Sequence, residues 1–182
     1  PYTTLFRSDL EGLVLARHAL RDTLLQQARG RGLLAGGGVE HRRGGGAEAD
    51  MNAVEARFLN NTKVAIELAH NPVQLVVHKG FSHTQMAKLL ATGHGGSFDM
   101  IYVDGSHQAP DVLSDAVLSF HLLKVNGLLV FDDYLWFEDL PYGKDPLRSP
   151  KIAIDAFTNI YCRKLSILAL PPHQLYMQKI SD

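Results

Sequence analysis

Phe98-Asp99-Met100-Ile101-Tyr102-Val103-Asp104-Gly105-Ser106-His107 and Asn126-Gly127-Leu128-Leu129-Val130-Phe131-Asp132-Asp133-Tyr134 decide how this chain is read. Each is a short apolar run that stops abruptly at carboxylates, with a polar, turn-rich and then helical segment between them. Unbroken apolar runs of this length suit strands buried on both faces, as in a parallel sheet covered by helices. Two such strands lying side by side bring Asp104, Asp132 and Asp133 to the carboxyl edge of the sheet, where open α/β sheets bind their ligands.

Outward from these runs the pattern alternates. Pro110 and Asp111 suit the first turn of a helix that runs to about Leu123, and Asn126-Gly127 tolerates the positive φ of its stop. Upstream, Val73 to Val77 reads as a strand, His78 to Ser82 as a turn, His83 to Ala91 as a helix and Gly93 to Ser97 as a loop. Met51, Val54, Phe58, Ala65 and Leu68 recur at helical spacing between Ala47 and Ala69. Downstream, Ser149-Pro150 caps a helix through Tyr161. Leu165 to Leu170 and Leu175 to Ile180 then read as two strands joined at Pro171-Pro172, and so short a link permits only antiparallel pairing. The fold class expected is α/β, a doubly wound and mostly parallel sheet finished by an antiparallel strand.

With 182 residues and 46% hydrophobic content, one domain with a sizeable core is the prior. Eighteen basic against 19 acidic residues, net charge −1, give no electrostatic case for a nucleic-acid or membrane-surface partner. The single cysteine, Cys162, excludes an internal disulfide framework or a cysteine zinc cluster, and suits a reducing cytoplasmic setting. No apolar stretch reaches the roughly 18 residues that span a bilayer, and Asn60-Asn61-Thr62 is a chance sequon inside a helical stretch. Pro1 to Ser8 (PYTTLFRS) resembles a translated sequencing adapter and is set aside from the fold. Leu10 to Gln27 has helical spacing with Ser8 and Glu11 as a capping box, and Arg29 to Gly46 is a glycine-rich, basic loop. The organisation expected is an atypical segment over 1–46 and an α/β domain over 47–182, with the first strand missing or degraded and the chain incomplete at its N-terminus.

Phe98 to His107, Asp115, Leu122-Leu123-Lys124-Val125-Asn126-Gly127 and Phe131-Asp132-Asp133-Tyr134 resemble class I S-adenosylmethionine-dependent methyltransferases. The resemblance is to the group with "DG-H" after the fourth strand and "DDY" after the fifth. It runs from about Met51 to Asp182 and includes Glu55 to Asn60 and the Gly80-Phe81-Ser82 turn. It implies a Rossmann-like fold, S-adenosylmethionine as cofactor, a small-molecule acceptor and O-methylation. The family's Gly-x-Gly loop after the first strand, and the acidic residue after the second, have no counterpart; Leu33 to His41 is the nearest glycine-rich candidate. The alternative is a truncated, non-catalytic domain unable to hold cofactor.

Carboxylates at the ends of strands about 4.8 Å apart repel unless a proton or a cation is shared. Asp104, Asp132 and Asp133 are therefore candidate ligands for a hard ion such as Mg2+, or else caps of turns and helix ends. His107, three residues past Asp104, is the candidate general base on an acceptor hydroxyl, or a loop residue orienting the aspartates. Asp104 and His107 form the catalytic pair, and Gly80, Ser82, Asp104 and Gly105 the cofactor cleft, with a simple tight turn as the other reading of Gly80. Tyr134, Trp136 and Phe137 either floor an acceptor pocket or pack on the next helix.

Overall fold

A computed structural model of the protein describes residues 2–6, 13–14, 51–68, 74–78, 80–170 and 173–182. In chain order its elements are β1 (Tyr2–Phe6), β2 (Leu13–Val14), α1 (Met51–Glu67), β3 (Gln74–Leu75), α2 (Ser82–Ala91), β4 (Phe98–Asp104), α3 (Ala109–Leu122), β5 (Leu123–Phe131), α4 (Pro150–Ile160), β6 (Leu165–Ile167) and β7 (Leu175–Lys179). The chain divides into two units, Pro1–Ala16 with Gln74–Asp182, and Arg17–Val73. Of the second, α1 is the described element, with Thr62 of the sequon and Ala65 buried. The expected boundary at 46/47, the Ser8–Glu11 capping box and the Leu33–His41 candidate loop lie outside the described residues.

Among the described residues seven strands form one sheet in the order β3-β2-β1-β4-β5-β7-β6. The two strands that decided the reading are adjacent and parallel, with Met100 opposite Leu128 and Val103 opposite Phe131. β7 is antiparallel to both β5 and β6, so the last two strands close one edge as expected. The pairings make β2, β3, β4, β5 and β6 run one way and β1 and β7 the other. Five of the seven described strands thus share one direction, although among neighbours only β2–β3 and β4–β5 are parallel pairs, and the sheet is Rossmann-like.

Two elements at its start differ from what the sequence indicates. Tyr2–Phe6, set aside from the fold, occupies the place of a first strand and pairs along its whole length with β4, Tyr2 opposite Asp104 and Phe6 opposite Met100. Leu13–Val14, expected in a helix, is a strand that returns antiparallel to β1. The direction of β1 matters for function. Its carboxyl end lies level with Met100, at the edge of the sheet away from Asp104, so a loop leaving it does not begin at the ligand edge.

Helices α2, α3 and α4 pack into one apolar cluster with β4 and β5, built from Met86, Val112, Ala116, Phe120, Ile154 and Phe157 against Ile101, Val103, Leu129 and Phe131. α3 starts as the sequence indicates, with Pro110 in its first turn and Asp111 complementing the helix dipole. Its buried positions Val112, Asp115, Ala116, Ser119 and Phe120 recur at three- and four-residue steps, which is the spacing of a single helical face. Its last carbonyls, which no helical N–H can reach, are met by the ammonium of buried Lys179, 2.9 Å from both Phe120 O and Leu123 O.

Two local expectations differ from what is observed. Asn126-Gly127 is not the helix stop; α3 ends at Leu122, and the pair forms an irregularity inside β5 with Asn126 at φ +69. Gly127 is needed there because an added Cβ would stand 2.7 Å from Leu123 Cδ1 and 2.9 Å from Lys124 O. Ser149 precedes α4 in N-cap position, but its hydroxyl donates back to Pro146 O at 3.1 Å instead of capping the helix.

Candidate active site

The β4–β5 ladder builds the site. Asp132 N–H donates to Val103 O at 2.9 Å, extending the parallel pairing one residue past β5 and setting Asp132 beside Asp104. Side chains alternate along a strand, so Tyr102, Asp104, Val130 and Asp132 share the face opposite Val103 and Phe131. Asp133 follows with φ +54, an uncommon conformation for a residue with a Cβ. Its N–H donates to Asp132 Oδ1 at 3.0 Å.

Asp104, Asp132 and Asp133 each offer an oxygen within 4.8 Å of the others, and among the described residues they are the one such acidic group close enough to share an ion. His107 sits in the Gly105–Gln108 turn, where Ser106 Oγ accepts Gln108 N–H and the first turn of α3 begins. Its Nε2 lies 3.0 Å from Asp133 Oδ2. The imidazole stacks on the Trp136 indole, with ring centroids 3.8 Å apart. A cleft lined by Val103, Asp104, Gly105, His107, Phe131, Asp132 and Asp133 opens here, about 230 Å³ including its mouth. Most of that is open solvent; the enclosed part is about 10 Å³, room for roughly one water. The described walls alone do not enclose room for a cofactor and an acceptor.

Not every expected residue joins this cleft. Asp104, Gly105, His107, Asp132 and Asp133 line it; Gly80 and Ser82 do not. Ser82 opens α2, and its hydroxyl lies 2.7 and 2.8 Å from the two oxygens of buried Asp115 on α3. That contact puts a carboxylate at the positive end of α2 and fastens the two helices together. Gly80 is exposed, at φ +126. Tyr134 packs against the apolar cluster, with its hydroxyl donating to Asp155 at 2.7 Å and accepting from Lys151 at 2.9 Å. Phe137 lies under the Lys144 ammonium, and Trp136 stacks on the cleft residue His107.

A polar network beneath the carboxylates escaped the sequence reading. Gln174 Nε2 donates to Tyr102 Oη at 2.7 Å and to Asp132 Oδ1 at 3.1 Å, while the Tyr176 hydroxyl donates to Gln174 Oε1. Burial of Tyr102, then its hydrogen bond to Asp132 and the charges of Asp132 and Asp104, hold its phenol protonated well above the usual tyrosine range. The one sequence signal was a tyrosine two residues before Asp104 in an apolar strand, and hence on its face.

Residues 17–134, more than half of the chain, match the model of a family described as a methyltransferase domain. Similar solved structures include a protein from Corynebacterium glutamicum, 18% identical over 70% of this chain and 58% of that one, with a TM-score of 0.47. The O-methyltransferase NovP is 14% identical over 75% of this chain and 53% of its own, TM-score 0.44. The SAH-bound methyltransferase PaMTH1 of Podospora anserina is 19% identical over 69% and 57%, TM-score 0.39. The chain spans a little over half the length of each of these proteins. No curated protein sequence matches it. The match over residues 17–134 leads to one conclusion: the chain belongs to the family of methyltransferase domains.

Proposed function

We propose that the protein methylates a hydroxyl of a small molecule with S-adenosylmethionine as donor, assisted by a divalent cation such as Mg2+. The observation that carries this reading is the convergence of Asp104, Asp132, Asp133 and His107 on one cleft at the carboxyl edge of two parallel strands. The donor set suits Mg2+ in kind, since it is all hard carboxylate oxygen. The three carboxylates each bring one oxygen within 4.8 Å of the others, close enough to meet at a single ion. When bound, such an ion orients an acceptor hydroxyl and lowers its pKa.

The residues divide the remaining work. His107 accepts the proton that the acceptor hydroxyl must lose, because methyl transfer from a sulfonium otherwise needs little beyond alignment. Asp104 and Gly105 border the cofactor's side of the cleft, with Gly80 as a further backbone contact and Ser82 acting through the placement of α2. Trp136 walls the acceptor's side. A cytoplasmic setting, without nucleic-acid or membrane partners, belongs to the same reading; it is supported by the net charge of −1 and the lone cysteine. No described helix is long and apolar enough to cross a membrane.

One observation favours the second reading, a domain that does not hold cofactor: β1 runs antiparallel to β4, so its carboxyl end cannot offer a cofactor-cradling loop at the ligand edge. Calorimetric titration with S-adenosylmethionine separates the two. The methyltransferase reading expects saturable binding weaker than about 1 μM, less favourable than roughly −8 kcal/mol, and weakened further by Asp104→Ala. Absence of any binding heat at millimolar cofactor favours the non-catalytic domain.

A further inference from the structure

We infer that Gln174, oriented by Tyr176, is a positioning residue that sets the Asp132 carboxylate for the ion. The inference rests on the ion-assisted reading above, in which Asp104, Asp132 and Asp133 are the donors, and adds the group that holds one of them in place.

The topology puts Gln174 there. β5 lies between β4 and β7, and Phe131 near its end is opposite Val103 on one side and Leu175 on the other. One step further, Asp132 has Asp104 across from it on the first side and Gln174 on the second. Side-chain alternation sets these three on the face that carries Tyr102, Val130 and Tyr176, which are also opposite one another. Past the ladder, Tyr134 N–H donates to His173 O at 3.2 Å, so the two backbones stay tied on the far side of Asp132 and Gln174.

A carboxamide has two N–H groups and one carbonyl, and here all three are engaged. Nε2 donates to Tyr102 Oη at 2.7 Å and to Asp132 Oδ1 at 3.1 Å, while Oε1 accepts from the Tyr176 hydroxyl. The opposite turn of the amide would set Oε1 against a carboxylate, which only accepts. Asp132 and Tyr176 together therefore fix its orientation. Asp132 Oδ1 also accepts Asp133 N–H at 3.0 Å. Two N–H donors on one oxygen hold a carboxylate whose terminal torsion is otherwise broad, and they leave Oδ2 as the oxygen turned to the ion. A lysine or arginine in this place would hold Asp132 too, but its charge would oppose the cation that the cluster draws. The neutral amide orients the carboxylate and leaves its charge intact.

The test uses the full chain with two readouts. The first is Mn2+ affinity by calorimetry. Gln174→Met keeps the length of the side chain but removes its donors, and should weaken Mn2+ binding about tenfold or more, as loss of an outer-shell partner does. Tyr176→Phe, which leaves Gln174 in place but frees its amide, should weaken binding in the same direction by less. Where Gln174→Met fails to fold, as judged by melting in chelator, Tyr176→Phe decides by the same loss. The second readout is the side-chain amide signals of Gln174 in a 15N-labelled sample, identified by their loss in Gln174→Met. Added Mg2+ should move them in wild type along the saturation curve that calorimetry gives, and should leave them still in Asp132→Asn. Mn2+ affinity equal to wild type in the folded variants overturns the inference alone, and so do amide signals that stay put while Mg2+ binds. Wild type that binds neither ion overturns the ion-assisted reading, and the inference falls with it.

Discussion

Replacing Asp132 by asparagine separates an ion site from a structural cap, because the two roles predict opposite changes. At the 4.8 Å that bounds the cluster, two like charges repel by about 3.5 kcal/mol at an effective dielectric near 20. Asp133 is 39% exposed, so water takes part of that repulsion away. The asparagine side chain would keep an amide oxygen for the Asp133 N–H and for Gln174 Nε2, losing about 1 kcal/mol of charge assistance. In chelator the variant should thus melt at the wild-type temperature or above it. With about 10 mM Mg2+ and a millimolar Kd, wild type gains about 1.4 kcal/mol. For a chain of 182 residues that is a rise of about 3–6 °C. The variant should gain nothing. Scanning calorimetry of both proteins in both buffers reads the four values. If wild type does not respond to Mg2+ and the variant loses about 0.5–2 kcal/mol in either buffer, Asp132 is only a cap.

Gly127→Ala should cost about 1–3 kcal/mol, since its methyl would press on buried Leu123 and on the Lys124 carbonyl; an unchanged denaturant midpoint refutes the close approach. Lys179→Met keeps apolar bulk but leaves Phe120 O and Leu123 O without their donor, for a loss of about 2–4 kcal/mol in urea unfolding. A variant as stable as wild type would mean that the buried ammonium's desolvation cancels its bonds. The raised pKa of Tyr102 stabilises the fold below the unfolded-state tyrosine pKa of about 10, and this contribution is lost as pH climbs from there toward the folded value. Tyr102→Phe should therefore lose less stability than wild type between about pH 9 and 11, and parallel losses in the two proteins would remove Tyr102 as the cause.

What could be read from the residues alone was whatever is encoded locally. The β4 and β5 runs end in aspartates, Pro110 and Asp111 open α3, and the short link before β7 dictates its direction. Period-two and period-3.6 signals need no knowledge of distant partners. Gln174 was invisible for the opposite reason: it lies between two strands, and its partners are 72 and 42 residues away. Lys179 likewise suggests solvent, yet it is buried because α3 ends above it with two open carbonyls. Asn126-Gly127 was placed correctly as a break in regular structure but assigned to the wrong element, since turn chemistry alone does not say whether a helix or a strand is interrupted. β1 was set aside for what Tyr2–Phe6 resembles, and its pairing with β4, about 100 residues further on, has no local signature.

Of the candidate site, Asp104, Asp132, Asp133 and His107 were legible because each sits at or just after a strand end. The contact of His107 with Trp136 was not, because stacking depends on the turn that Asp133 begins.

Transfer of a labelled methyl group tests the assignment most directly. The full chain is incubated with S-adenosylmethionine carrying a 13C methyl and a panel of phenols, aliphatic alcohols and sugars, with Mg2+ or with chelator, and products are read by mass spectrometry. Methylation of a hydroxyl compound that requires Mg2+, and that disappears in both Asp132→Asn and His107→Gln, is the expected result. Turnover that is indifferent to chelator and to both substitutions would place the chemistry elsewhere in the chain and contradict the site described.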